Sequence, residues 1–172
     1  MGLYCDFLAQ QEQCTTNMLG AILKQLANRG GIPEQTREAF KKAKKELGGR
    51  GLQLPGMVDI LKKTIKSVPH LFICIDALDE CTPKHRRELI ESLREIVRVF
   101  PGARVFLTGR PHISNEIGVC FSKVLRIPLS PTHNDIISYL EGRLDSDTDP
   151  KAMDVELRAD IMRIIPDKVS ER

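Results

Sequence analysis

An acidic cluster directly follows an apolar run near the middle of this 172-residue chain. Residues 71–75 are apolar and rich in branched side chains, which favours a strand buried on both faces of a parallel sheet. Asp76 then lies at the carboxyl end of that strand, where open α/β sheets place their ligand crevice. A carboxylate is a hard oxygen ligand that suits Mg²⁺, directly or through water. The sequence therefore predicts a magnesium ligand at Asp76, with Asp79 and Glu80 close behind it.

Strand and helix patterns alternate along the chain. Strands are predicted at residues 3–7, 71–75, 104–108 and, more weakly, 124–129. Helices are predicted after Thr15-Thr16, Pro33, Pro55 and Thr82-Pro83, and again at residues 135–144 and 155–165. This order predicts an α/β fold with a mainly parallel sheet, right-handed crossovers and flanking helices.

The run Asp76-Ala77-Leu78-Asp79-Glu80 resembles the Walker B element of P-loop nucleotidases. Many P-loop ATPases place a catalytic Glu directly after the metal-binding Asp, whereas here the small Ala77 is followed by two later acids. That pattern resembles the NACHT branch of the STAND signalling nucleotidases. Residues 107–112, with Thr108 and Arg110, resemble the sensor strand of that branch. Together with residues 4–7 and 134–140, they resemble most closely the nephrocystin-type NACHT domains common in filamentous fungi.

The resemblance implies a fold, a ligand and a set of roles. The fold would be a partial three-layer P-loop NTPase domain over residues 1–144, with a linker and the start of a helical extension over residues 145–172. The ligand would be ATP or GTP with Mg²⁺, and its occupancy would control a change of conformation or oligomeric state. Asp76 would hold Mg²⁺ through water, and Asp79 or Glu80 would orient the attacking water. Thr108 and Arg110 would sense the γ-phosphate.

One element of that family is missing from the sequence. A phosphate-binding loop needs GxxxxGK[ST], and this chain contains no Gly-Lys dipeptide. In the resembled family, the loop precedes residues 3–7 and belongs to a central strand. We therefore expect a piece of a larger signalling protein that lacks this strand, binds no nucleotide with micromolar affinity and is inactive alone.

Two other functions remain open. The chain could be a non-enzymatic interaction module that pairs with itself or with another chain of a signalling assembly. The open sheet edges would then be the strands at 104–108 and 124–129. Alternatively, it could be a truncated gene product without independent function. In either case the acidic cluster would be a solvated turn, and Arg110 would cap the strand or pair with Asp79.

Composition excludes several classes of partner. The net charge is +3, aromatic residues make up 5% and Trp is absent, so nothing indicates nucleic-acid binding. The apolar runs are too short for a membrane span. Five cysteines without a CxxC pair favour reduced thiols in a cytoplasmic protein. Cys74 is expected inside the buried strand and Cys81 is expected to be buried and inert, while the basic run 84–87 is expected to be exposed on a helix.

Overall fold

The computed structural model describes residues 1–30, 34, 37–38, 41, 53–66, 68–146 and 154–170. Contacts divide the chain into two compact units, Met1–Val124 and Leu125–Arg172. The predicted nucleotidase region, residues 1–144, is a family assignment that this division does not test. The helix predicted to begin at Pro33 starts outside the described residues.

A parallel sheet forms the centre of the first unit, as predicted. Its strands among the described residues are β1 (Gly2–Tyr4), β2 (Leu71–Asp76) and β3 (Ala103–Leu107), in the order β1-β2-β3. Tyr4 pairs with Asp76 across β1 and β2, and Ile75 pairs with Leu107 across β2 and β3. Strand β2, which leads into the acidic run, therefore pairs directly with β3, which ends just before the predicted sensor residue Thr108. The outer edge of β3 is unpaired within the described part of the chain.

The sheet is buried on one face only, so the prediction of burial on both faces is wrong. Ile73 and Ile75 are fully buried, whereas Phe72 and Phe106 are 57% and 55% exposed. Cys74, predicted inside a buried strand, points to the same exposed face. The apolar content of residues 71–75 favoured burial on both faces. The helices described for this unit, however, pack only against the face that contains Ile73 and Ile75.

Helices of the first unit cover the buried face of the sheet. Within the described residues they are α1 (Thr15–Gly30), α2 (Leu54–Ile65), α3 (Pro83–Val99) and α4 (Ser114–Cys120), and short 3-10 turns lie at Phe7–Ala9, Leu78–Glu80 and Pro111–Ile113. Helix α2 carries Pro in its first turn, and Thr82 caps α3 by accepting the His85 N–H at 3.5 Å. The predicted helix starts near Thr15, Pro55 and Pro83 are thus confirmed.

The fourth predicted strand does not form. Residues 124–129 have no regular structure, and Leu125, Ile127 and Leu129 are exposed. Pro128 removes a backbone donor from the segment, and no described strand pairs with it. The prediction of an open sheet edge at residues 124–129 is therefore also wrong.

The second unit contains a pair of helices, α5 (His133–Asp145) and α6 (Val155–Ser170). Helix α5 begins with a capping box, in which Thr132 and Asp135 each accept a backbone N–H from the other residue. The predicted helix at 135–144 is confirmed and starts two residues earlier. Helix α6 continues beyond its predicted end and contains Pro166. Across the described residues, no helix combines the length and apolarity that a bilayer crossing requires.

Candidate functional site

The chain turns sharply where β2 ends. Ala77 follows Asp76 in the left-handed conformation, with φ 53° and ψ 44°, and is the one non-glycine residue of positive φ in the described part of the chain. Leu78 anchors the following 3-10 turn, because its side chain is fully buried and its N–H donates to the Thr108 carbonyl oxygen at 2.9 Å. A left-handed alanine costs about 1–2 kcal/mol. The buried Leu78 and its hydrogen bond offset that cost and hold the acidic turn at the sheet edge.

Asp76 and Thr108 meet at this edge. The Thr108 hydroxyl donates a short hydrogen bond to Asp76 Oδ1 and accepts the Ala77 N–H at 2.9 Å. The backbone N–H of Thr108 donates to the Ile75 carbonyl oxygen at 2.9 Å, which extends the ladder between β2 and β3 by one residue. Asp76 is exposed, so solvent reaches its carboxylate. The structure therefore brings the predicted metal ligand and the predicted sensor threonine into direct contact.

Arg110 lies against the acids of the turn. Its backbone N–H donates to Asp79 Oδ1 at 3.2 Å, and its Nε lies 3.4 Å from Asp79 Oδ2. Its Nη2 lies 3.3 Å from Glu80 Oε1. The Asp79 side chain is only 6% exposed, whereas the Arg110 side chain is largely in solvent. Of the sequence-based interpretations, the pairing of Arg110 with Asp79 is the one seen here.

Gly109 allows Ile113 and the Asp79 carboxylate to pack closely against the backbone that follows β3. A Cβ placed on it would lie 2.6 Å from Ile113 Cδ1 and 3.2 Å from Asp79 Oδ1. Both distances are shorter than normal van der Waals contact, so a larger residue would displace Ile113 or the Asp79 carboxylate. The Gly in the Thr108-Gly109-Arg110 run thus has a packing reason in this chain.

Two side chains that the sequence did not predict brace the turn. Gln10 Nε2 donates to the Glu80 carbonyl oxygen at 2.7 Å. Arg86 Nη1 donates to the Cys81 carbonyl oxygen at 3.1 Å, and its Nε donates to Glu116 Oε2 at 2.8 Å. The expectation that the basic run 84–87 is exposed is therefore wrong for Arg86, which is largely buried. Its position three residues before Leu89, on the apolar face of α3, is the signal that could have found it.

The donors at the sheet edge fit a hydrated magnesium ion better than a dry metal site. Among the described residues, no cluster of three or more His, Cys, Asp or Glu side chains is placed to hold a metal. Mg²⁺ usually keeps several waters and takes one or two carboxylates together with substrate phosphates. The exposed Asp76 carboxylate beside a threonine hydroxyl suits that mode, in which the phosphates supply the remaining ligands.

Comparison with known proteins bears on the region that contains these residues. A family model described as Nephrocystin 3, N-terminal matches residues 2–110. The matched range includes Asp76, Asp79, Glu80 and Thr108 and ends at Arg110. No curated protein matches the chain. No solved structure matches it. Because the family model covers more than half of the 172 residues, the chain belongs to the nephrocystin 3 N-terminal family.

Proposed function

We propose that this chain carries the magnesium and γ-phosphate side of a NACHT-type nucleotide site in a STAND signalling protein. The contact between Asp76 and Thr108 at adjacent ends of parallel strands is the observation that supports the proposal. Ligand crevices of open α/β sheets lie at this edge. In the full-length protein, ATP or GTP bound here would control a change of conformation or oligomeric state.

Asp76 would accept hydrogen bonds from waters of a bound Mg²⁺, and Thr108 would hold the Asp76 carboxylate in one orientation. Bound Mg²⁺ would neutralise charge on the nucleotide phosphates. The Asp76 side chain is exposed, so the ion could keep most of its water shell. Walker B identity and the choice between ATP and GTP are parts of this proposal.

Arg110 would act as the switching group. In the structure its guanidinium lies between Asp79 and Glu80, at distances of 3.3–3.4 Å. The Arg110 guanidinium is largely in solvent, so its ion pair with Glu80 contributes only about 0–1 kcal/mol. The largely buried Asp79 would keep the hydrogen bond from the Arg110 backbone N–H when the guanidinium moves to a γ-phosphate. Release of Arg110 would free Glu80 to orient water and would alter the turn between β2 and α3.

The phosphate cradle must come from outside these residues, because the sequence contains no Gly-Lys dipeptide. Asp76 and Arg110 alone provide one metal contact and one cation. We therefore propose that the chain alone binds Mg-ATP and Mg-GTP only in the millimolar range and does not turn them over.

The test combines calorimetry with amide chemical-shift mapping. We expect no heat of binding at micromolar Mg-ATP or Mg-GTP. At millimolar concentration, we expect shifts at the amides of Ala77, Thr108 and Arg110 that disappear without Mg²⁺. Micromolar affinity would refute the prediction that this chain lacks a phosphate cradle. Absence of any localised shift at millimolar nucleotide would refute the proposed magnesium and γ-phosphate site itself.

A charge-neutralising pair of variants provides the control. Asp76→Asn removes the metal-binding charge and should abolish the Mg²⁺-dependent shifts. Glu91→Gln removes an exposed carboxylate from α3, away from the strand ends, and should leave the shifts unchanged. Equal shifts in wild type and Asp76→Asn would show that any binding is unrelated to the proposed metal position.

A second candidate function is self-association through the exposed face of the sheet. Tyr4, Phe72 and Phe106 are exposed on this face, around the exposed Cys74. Large exposed apolar patches mark interaction sites in soluble proteins. Arg104 lies near one end of the face and Asp76 at the other, so an antiparallel pairing of two copies would bring opposite charges together.

Light scattering coupled to size exclusion tests this candidate. We expect a concentration-dependent dimer that Phe106→Lys converts to monomer. Leu129→Lys, an exposed apolar position of the other unit, is the matched control and should leave the dimer intact. A monomeric wild-type chain at high micromolar concentration would exclude self-association through this face.

A further inference from the structure

We propose that Cys5 and Cys81 form a disulfide when the protein meets a peroxide or disulfide oxidant, and that this bond locks the acidic turn to the end of β1. The two sulfurs lie 3.1 Å apart. Both residues are buried, with 1% and 3% of their surfaces exposed. They are 76 positions apart in sequence, so only the tertiary fold brings them together. The bond would form whether or not a nucleotide binds.

Hydrogen bonds hold the backbone of each cysteine in place. The Cys5 N–H donates to the Asp76 carbonyl oxygen at 3.0 Å, directly after β1. The Cys81 N–H donates to the Leu78 carbonyl oxygen at 3.3 Å, and Arg86 binds the Cys81 carbonyl oxygen. A disulfide bond is about 2.05 Å long, so closure needs an approach of about 1 Å. We expect rotation about the two Cα–Cβ bonds to supply that movement.

The surroundings also make Cys81 the better nucleophile of the pair. The hydrogen bond with Cys5 lowers the pKa of Cys81, and the positive charge of Arg86 lowers it further. Thiolates react with oxidants and thiols do not, so oxidation should begin at Cys81 when a local opening of the Leu78–Glu80 turn admits the oxidant to this buried sulfur.

The reaction balances in two steps with hydrogen peroxide. The Cys81 thiolate attacks one peroxide oxygen, the O–O bond breaks, and the products are a Cys81 sulfenic acid and hydroxide. The Cys5 sulfur then attacks the Cys81 sulfur, the S–O bond breaks, and the Cys5 proton leaves with the departing hydroxide as water. Overall, two thiols and one peroxide become one disulfide and two waters.

The disulfide would restrict the movement of the acidic turn. Cys81 directly follows Glu80, and Cys5 directly follows β1, so the bond would fix the Leu78–Glu80 turn against the neighbouring strand. Any movement of Asp79 or Glu80 away from Arg110 would then be restricted. The oxidised chain should also resist unfolding, because the cross-link restrains a long loop in the unfolded state.

Peptide mapping of the oxidised wild-type chain is the decisive experiment. A glutamate-specific protease cuts after Glu12 and Glu80, which separates Cys5 from Cys14 and Cys81 from Cys74. Digestion in acid suppresses thiol–disulfide exchange. We expect a cross-linked pair of peptides that contain Cys5 and Cys81, and its loss after reduction. Free thiols or sulfinic acids at both positions, after the exposed Cys74 has been fully oxidised, would overturn the proposal.

Thermal unfolding of matched variants gives a second readout. Cys74→Ser removes the exposed competing thiol and keeps the buried pair, so peroxide should raise its Tm by about 5–10 °C, reversibly with dithiothreitol. Cys81→Ser should show no such rise. If Cys81→Ser fails to fold, Cys74→Ser and the wild-type peptide map still decide the question. An unchanged Tm in Cys74→Ser, with the pair still reduced, would contradict the proposal.

Discussion

The hydroxyl of Thr108, one residue beyond β3, donates a hydrogen bond to the carboxylate of Asp76 at the end of β2. The same hydroxyl accepts the N–H of the left-handed Ala77. One side chain therefore holds both the acid and the turn that follows it. The contact joins two strand ends whose polar residues are 32 positions apart.

Loss of the Thr108 hydroxyl should loosen this edge. Thr108→Val keeps the shape but removes both hydrogen bonds, and we expect the free energy of unfolding to fall by about 1–2 kcal/mol. Thr108→Ser retains the hydroxyl and should lose less than half of that. Urea denaturation measures both values, and a Val variant as stable as wild type would show that solvent replaces the hydroxyl without cost.

Glycine at position 77 should stabilise the protein. Ala77 has φ 53°, a conformation that glycine adopts without steric cost. We expect Ala77→Gly to raise the free energy of unfolding by up to about 1 kcal/mol and Ala77→Val to lower it by about 1–2 kcal/mol. The same denaturation series measures both variants. A destabilised Gly variant would mean that the turn relaxes to negative φ in solution.

Alanine should have opposite effects at two glycines. In Gly109→Ala the new methyl would lie 2.6 Å from Ile113 Cδ1 and press on Asp79, so we expect a loss of about 1–3 kcal/mol. In Gly142→Ala the methyl meets nothing within 4 Å on helix α5, and we expect a gain of up to about 1 kcal/mol. Thermal unfolding of the two variants side by side tests the prediction. Equal effects would show that the close approach at Gly109 is not maintained.

The contact of Thr15 with Glu88 should make stability depend on pH. The buried Thr15 hydroxyl donates to Glu88 Oε2 at 2.8 Å, and this bond lowers the pKa of Glu88 below its ordinary value. A carboxyl with a lowered folded pKa adds stability above its unfolded pKa and loses it as pH falls through the folded pKa. We therefore expect Thr15→Val to destabilise the protein by about 1–2 kcal/mol at pH 7 and by less at pH 3.

Unfolding free energies of wild type and Thr15→Val at the two pH values test this sign. Thr15→Ser retains the donor and serves as the control. His85 Nδ1 lies 3.2 Å from the same Glu88 oxygen. Glu88→Gln removes the carboxyl that titrates, so it should remove the pH-dependent part of the difference in unfolding free energy. A difference between Thr15→Val and wild type that grows at acid pH would contradict the assignment.

Much of the fold was predictable because it depends on local patterns. Capping residues and prolines predicted where α2, α3 and α5 begin, and apolar periodicity predicted their buried faces. The strand at residues 124–129 was mispredicted because its apolar residues suit a strand, whereas pairing needs a neighbour and a backbone free of Pro128. Burial of β2 was overestimated for a related reason: hydrophobicity records what a residue can bury, not what is present to cover it.

The sequence by itself determined the chemistry at the sheet edge: an acid at position 76, two more in the following turn, a threonine and an arginine after the next strand, and no Gly-Lys loop. The alternation of strands and helices in the sequence also determined that the strands run parallel. Only the tertiary structure decided that Thr108 binds Asp76, that Arg110 rests on Asp79 and Glu80, and that Cys5 meets Cys81. Those contacts depend on strand register and on the left-handed turn at Ala77, which arise from packing over the whole unit and leave no local pattern in the chain.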